Sequence, residues 1–129
     1  MKFFWGGSVP SDLKDIAVFN DFIFDKILRR YIENEIIYND LKLALHELIV
    51  NGATHGNSQK SYKNVEVFLQ FEDKYFVFYV QDQGTGIKII YDEPTPEFKP
   101  CGRGLKIVKK TVDQMEMCHN RVTCVKYLE

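Results

Sequence analysis

Between Leu13 and Tyr31 apolar side chains recur at helical spacing, at Leu13, Ile16, Ala17, Ile23, Phe24, Ile27, Leu28 and Tyr31, with Asn20 as the polar exception. Pro10-Ser11-Asp12 supplies a start signal, so a first long helix is expected to end near Tyr31. Leu41, Ala44, Leu45 and Leu48 repeat the period; Asn39 can cap this second helix, which runs to about Thr54 before Gly56-Asn57-Ser58 breaks it. The polar interval from Ser58 to Asn64 reads as a loop. From Val65 the period drops to two: Val65, Val67, Leu69 and Phe71 alternate with Glu66 and Gln70, and Glu72-Asp73-Lys74 turns the chain into a second strand from Tyr75 to Val80. A Gly- and Pro-rich stretch from Gln83 to Gly102 is interrupted only by Ile87 to Tyr91. Leu105, Ile107, Val108, Val112 and Met115 then resume a helical pattern. Val122 to Leu128 reads as a closing strand, with a short one ahead of it at Glu116 to Cys118.

Two helices, a hairpin, a long loop, a helix and a closing strand predict an α+β two-layer sandwich, with three helices on one face of a mixed, mostly antiparallel sheet. A chain of 129 residues can bury one sizeable core and not two, so residues 1–129 are expected to form a single domain. The Gly/Pro stretch is long for a passive connection in so small a domain, and a binding lid is the commoner reason for keeping one. With 45% apolar and 27% charged residues the chain is not of the disordered class. Lys plus Arg number 17 against 18 Asp plus Glu, and neither half carries the positive excess of a nucleic-acid binder. Apolar runs fall short of the roughly 18 residues of a membrane span, and Gly6-Gly7 breaks the Met1-to-Trp5 segment too soon for a signal peptide. Cys101, Cys118 and Cys124 form no CxxC pair, which argues against a metal staple or disulfide framework and for a reduced, cytoplasmic setting.

Three short segments carry chemistry. Glu47 and Asn51 are four apart and share a helix face, and His55 continues that line if the helix persists. Set among Leu45, Leu48, Ile49 and Val50, they either hold a ligand, metal or water, or are helix-surface polar residues. Asp82-Gln83-Gly84-Thr85-Gly86 follows the end of a hydrophobic strand, where glycine lets a flat ligand approach closely; an ordinary turn has the same composition. Gly102-Arg103-Gly104 stands before the third helix, where free N–H groups and the helix dipole favour an anion, although loop-to-helix glycines are also common there. The chain lacks GxGxxG with its βαβ setting and GxxxxGK[ST], so dinucleotide-fold and P-loop binding are excluded.

The conjunction of the three segments, in this order and at these element ends, resembles the GHKL superfamily of histidine-kinase-type ATPases. Within it the chain is similar to the small anti-sigma-factor serine kinases of the SpoIIAB/RsbW type. The carriers are residues 44–57, ALHELIVNGATHGN, then residues 80–87, VQDQGTGI, then residues 102–108, GRGLKIV. The resemblance implies a Bergerat-type ATP-binding fold, with ATP and Mg²⁺ as cofactors and Asn51 as the ligand of the Mg²⁺ that bridges the phosphates. It implies Glu47 as the general base for an attacking seryl hydroxyl, and Asp82 as acceptor of the adenine amine, walled by Gly84 and Gly86. Gly102 and Gly104 would close over the phosphates, and Thr123 would lie near adenine. Arg103, as a local inference, would bring charge to the γ-phosphate. His55 is either a second polar anchor for the nucleotide or a solvated residue at the helix end. Two departures from the family pattern are Val122, where a glycine is usual, and the prolines Pro94, Pro96 and Pro100 in the lid from Lys88 to Cys101.

The function so implied is an ATP-dependent serine/threonine protein kinase acting as an anti-sigma factor, which binds a sigma factor and phosphorylates an antagonist protein on serine. The alternative is an ATP-binding regulatory interaction module of the same fold without phosphotransfer. A detached histidine-kinase catalytic domain is disfavoured, because the acceptor helix pair is absent and Glu47 suits a hydroxyl acceptor. The family resemblance favours a homodimer, while the charge balance and the lack of a long apolar run argue against direct nucleic-acid or membrane contact.

Overall fold

The computed structural model describes residues 3–84 and 100–128 and, among these, the side chains of all but residues 100–104. Asp12 caps the first helix, α1 (Leu13–Phe22), its carboxylate accepting from the N–H groups of Lys14 at 2.9 Å and Asp15 at 3.3 Å. The helix runs on through a wider π-helical segment, Ile23–Leu28, and a last turn, Arg29–Tyr31, as the periodicity predicts. The second helix, α2 (Glu35–Asn51), starts earlier than expected. Its cap is Asn34, which accepts from Ile37 N–H at 3.1 Å, whereas Asn39 lies inside the helix. The turn upstream of Leu41 is core: Tyr38 is buried and its hydroxyl donates to the Phe24 carbonyl at 3.3 Å. Beyond Asn51 the helix widens into a π turn, Gly52–Gly56. The third helix, α3 (Pro100–Thr111), begins on a proline, which suits a first helical position because the missing N–H would have had no partner there. Gly102-Arg103-Gly104 is therefore part of its first turns and does not precede it. Met115, expected on this helix, lies on a strand instead.

Five strands, β1 (Phe3–Pro10), β2 (Asn64–Phe71), β3 (Tyr75–Gln81), β4 (Gln114–Cys118) and β5 (Arg121–Tyr127), form one sheet in the order β1-β2-β3-β5-β4. Every pairing is antiparallel. The expected two-layer α+β sandwich is thus present, and among the described residues the sheet has no parallel pair. β1, which the alternation pattern does not predict, pairs with β2 from Phe3↔Phe71 to Pro10↔Asn64, and its proline is tolerated because it ends an edge strand.

Period two divides the sheet. Val65, Val67, Leu69 and Phe71 of β2, Phe76, Phe78 and Val80 of β3, and Val122 and Cys124 of β5 are buried on the inner face. They meet Ile16 of α1, Ile23 and Leu28 of the π-helical segment that follows it, Leu41, Leu45 and Ile49 of α2, and Val108 of α3. Each such Leu, Ile or Phe contributes about 1.5–3 kcal/mol through removal of apolar surface from water. The outer face carries the alternate residues, among them a row of rings from Phe4 through Phe68 to Tyr79, capped by the Arg121 guanidinium 4.0 Å from the Tyr79 centroid. At the end of the sheet where the β2–β3 hairpin turns, rings close the core: Phe3 stacks on Tyr31 at 4.8 Å, Tyr31 on Phe71 at 4.7 Å and Phe71 on Phe76 at 4.3 Å.

Candidate functional site

The opposite end of the sheet is polar. The alternation that buries Phe76, Phe78 and Val80 places the next inward position, just past β3, at Asp82, whose side chain is consequently pressed against the end of α2. Glycines make the room. A Cβ on Gly56 would overlap the Asp82 carboxylate, and one on Gly84 would overlap the Gly56 carbonyl and come within 3.0 Å of Asp82 Oδ1. Gly52, one turn before Gly56, leaves 3.5 Å to the Asp82 Cβ. The Gly84 N–H donates to Asp82 Oδ1 at 2.8 Å. From the other side the β4–β5 turn grips the backbone: Asp82 N–H donates to the Asn120 carbonyl at 3.0 Å, and Asn120 Nδ2 donates to the Asp82 carbonyl. This turn is sharp, with His119 at φ 55°.

Asp82 is only 9% exposed, and burial pushes its carboxyl above the usual carboxylate range, opposed by the Gly84 N–H and by the charge of Lys63. A buried acceptor walled by glycines is a receptor for a flat donor-bearing group, which is what an exocyclic amine on a planar base presents.

Glu47 and Asn51 stand one turn apart on α2, both half-buried, between core residues Leu45, Leu48 and Ile49 and solvent. Asn51 Nδ2 is buried and has no hydrogen-bond partner among the described residues. An orphaned carboxamide of this kind costs free energy unless a ligand satisfies it. Since O and N exchange by a half-turn of the side chain, the group suits either a donor to a phosphate oxygen or an oxygen ligand for a hard cation. The residues present therefore fit a Mg²⁺-bound nucleotide, although among the described residues there is no cluster of His, Cys, Asp and Glu able to hold a metal without it. His55 lies in the π turn that follows α2, and its side chain is exposed.

α3 packs against α2. Because α3 starts at Pro100, Cys101 and Gly102 fall among the residues whose N–H groups have no partner inside the helix, the end that attracts anions. Gly86 and most of the segment from Lys88 to Cys101 lie outside the described residues. Thr123 is not brought to Asp82. It sits on the outer face of the sheet, paired with Tyr79 and Glu116, and lines a cleft of about 380 Å³ with Gln81, Cys118, His119 and Arg121. The inward residue of β5 at this level is Val122, opposite Val80.

Sequence reasoning missed Gly52, Gly56 and Asn120. Gly52 and Gly56 had a signal: two glycines four apart on one helix face mark a close approach by another part of the chain. Asn120 had none, since its partner Asp82 is 38 residues away.

Among curated proteins none matches the sequence. A family model for the histidine kinase-like ATPase domain matches residues 9–126, from the last turn of β1 to near the end of β5, and so spans Glu47, Asn51, Asp82 and the glycines of α3. With a buried acceptor against glycines at one element end, an orphaned carboxamide on α2 and a third helix packed against α2, the chain belongs to the histidine kinase-like ATPase domain family, whose ligand is ATP.

Proposed function

We propose that the chain is an ATP-dependent serine/threonine protein kinase that acts as an anti-sigma factor, binding a sigma factor and phosphorylating an antagonist protein on serine, as a cytoplasmic homodimer. The observation that carries the kinase reading is Glu47, a half-buried carboxylate one turn from Asn51 and its unsatisfied amide. ATP supplies the phosphoryl group to be transferred. Asp82 accepts from the adenine amine, its carboxylate seated where Gly56 and Gly84 leave it room. Asn51 holds Mg²⁺ or a phosphate oxygen, while Gly102, Arg103 and Gly104 face the phosphates from the start of α3. Glu47 takes the proton of the attacking serine hydroxyl, and most of the remaining catalysis is positioning and charge neutralisation. The partner reading is supported by apolar side chains that α1 leaves in solvent, Leu13 at 59%, Val18 at 72% and Phe22 at 47% exposure, which fit a protein-binding face.

The test is transfer of label from radiolabelled ATP to a co-purified partner carrying an acceptor serine, under single-turnover conditions. Glu47→Gln keeps shape and is expected to retain ATP affinity while lowering transfer about 10²- to 10⁴-fold. Equal transfer by both proteins removes Glu47 from the mechanism. Firm ATP binding without any transfer by the wild type favours the regulatory module that lacks phosphotransfer.

A further inference from the structure

Asn57 follows the π turn of α2 and is fully buried, at 0% exposure, one of few polar side chains so enclosed among the described residues. Its carboxamide is used on both sides. Nδ2 donates to Ser11 Oγ at 2.9 Å and to the Asn64 carbonyl at 3.0 Å, and Oδ1 accepts from the Gln83 N–H at 2.6 Å. The orientation has no freedom: exchanging O and N would set an NH₂ group against the Gln83 N–H and an oxygen against the Asn64 carbonyl. Ser11 Oγ is committed in turn, donating to the Lys63 carbonyl at 2.7 Å. The main-chain N–H of Asn57 closes the π turn onto the Gly52 carbonyl at 2.7 Å. A second strap runs parallel, from Asn64 N–H to Gln83 Oε1.

Gln83 is the residue between Asp82 and Gly84. Fixing its N–H fixes the peptide plane that joins Asp82 to the rest of the turn, and with it the direction from which the Gly84 N–H holds Asp82 Oδ1. A buried carboxamide is costlier to install than an apolar side chain of its size, so it is informative that this one spends its acceptor on that peptide. Adenine presents an amine where guanine presents a carbonyl. A carboxylate held in one direction therefore attracts the first and repels the second, whereas a carboxylate free to turn away discriminates less.

We propose that Asn57 is the positioning residue for nucleobase choice: through the Gln83 N–H it holds the Asp82 turn in the one arrangement that selects adenine over guanine. The inference rests on the assignment of Asp82 as the adenine acceptor. It does not concern phosphotransfer.

The test compares ATP and GTP affinities by calorimetry for the wild type, Asn57→Ala, Asn57→Asp and Phe76→Leu, the last a destabilising change at the far, aromatic end of the sheet. Asn57→Ala is expected to reduce the ATP-over-GTP preference about tenfold or more, the worth of one well-placed buried hydrogen bond. Asn57→Asp restores an acceptor to the Gln83 N–H and is expected to recover most of that preference, although the variant is less stable. Phe76→Leu keeps the wild-type ratio. An unchanged ratio in Asn57→Ala overturns the proposal and leaves Asn57 with packing alone. A wild type that binds ATP no better than GTP overturns the Asp82 assignment first and the proposal with it, and is recognisable because the wild type itself fails. Should Asn57→Ala not fold, amide exchange in the nucleotide-free wild type decides: the Gln83 N–H is expected to be protected, and free exchange there overturns the proposal.

Discussion

At one end of the sheet Phe3, Tyr31, Phe71 and Phe76 lie ring upon ring; at the other, Ser11, Asn57, Asn64 and Gln83 meet through hydrogen bonds around Asp82. Both ends are tied by the same strands, since β1 and β2 run from Phe3↔Phe71 at the first to Pro10↔Asn64 at the second. The aromatic end gains its free energy from area and dispersion, which depend weakly on direction and tolerate small shifts. The polar end depends on direction. Each of its bonds fails beyond a few tenths of an ångström or a modest rotation, and a failed buried bond leaves an unsatisfied group. Stability can be housed in the first kind of structure. Recognition of one base, or of a phosphate at one place, needs the second.

Breaking the aromatic end gives the largest effect on stability. Phe76 is fully buried between Phe71 and Phe78, and Phe76→Ala is expected to cost about 3–5 kcal/mol in urea denaturation while leaving nucleotide preference intact in the folded fraction. Breaking the polar end reverses the pattern. Gly56→Ala puts a methyl group where the Asp82 carboxylate sits, so either the side chain or the end of α2 must move. The expected cost is about 1–3 kcal/mol of stability, with ATP affinity down about tenfold or more in calorimetry.

A smaller effect sharpens the contrast through pH. Burial raises the Asp82 carboxyl above its ordinary value of 3.8, so the folded chain holds that proton more tightly than the unfolded chain does. Stability contributed by the protonated form is complete below that value and is lost as pH rises through the raised one. Asp82→Asn removes the charge that burial disfavours. Without nucleotide, the variant is expected to melt a few degrees above the wild type at pH 7 and level with it at pH 3, by calorimetric scanning, while losing ATP affinity.

What could be read from the sequence follows the same division. The apolar periods predict α1, the body of α2 and the β2–β3 hairpin, because burial of one face imposes 3.6 or 2 on the chain wherever it packs. β1 escaped because Gly6-Gly7 interrupts its alternation of Phe3, Trp5 and Val9, yet the strand forms because all eight residues find partners on β2. The starts of α2 and α3 were misplaced where a cap or a first-turn proline, and not the apolar stripe, sets the boundary. In the candidate site, Glu47 and Asn51 stand out in the sequence as polar residues set among Leu45, Leu48, Ile49 and Val50, and Asp82 as an acid just past a hydrophobic strand, while the roles proposed for them come from the family resemblance. Asn57 has the local signature of a helix stop and nothing more. Its partners lie 46, 7 and 26 residues away, and no local pattern connects them. Thr123 shows the converse: its type fitted the family pattern, but period two puts Val122 and Cys124 inside and turns Thr123 to the outer face.

The central claim is that nucleotide binds at the hydrogen-bonded end of the sheet, between Asp82 and Asn51. Titration of isotopically labelled protein with Mg²⁺-ATP, followed through the backbone amide signals, tests it most directly. The largest changes are expected at Asn51, Gly56, Asn57, Gln83 and Gly84, with the Phe71 and Phe76 amides nearly still. Changes confined to the outer-face cleft around His119, Arg121 and Thr123, with Gln83 and Gly84 unmoved at saturation, would contradict it.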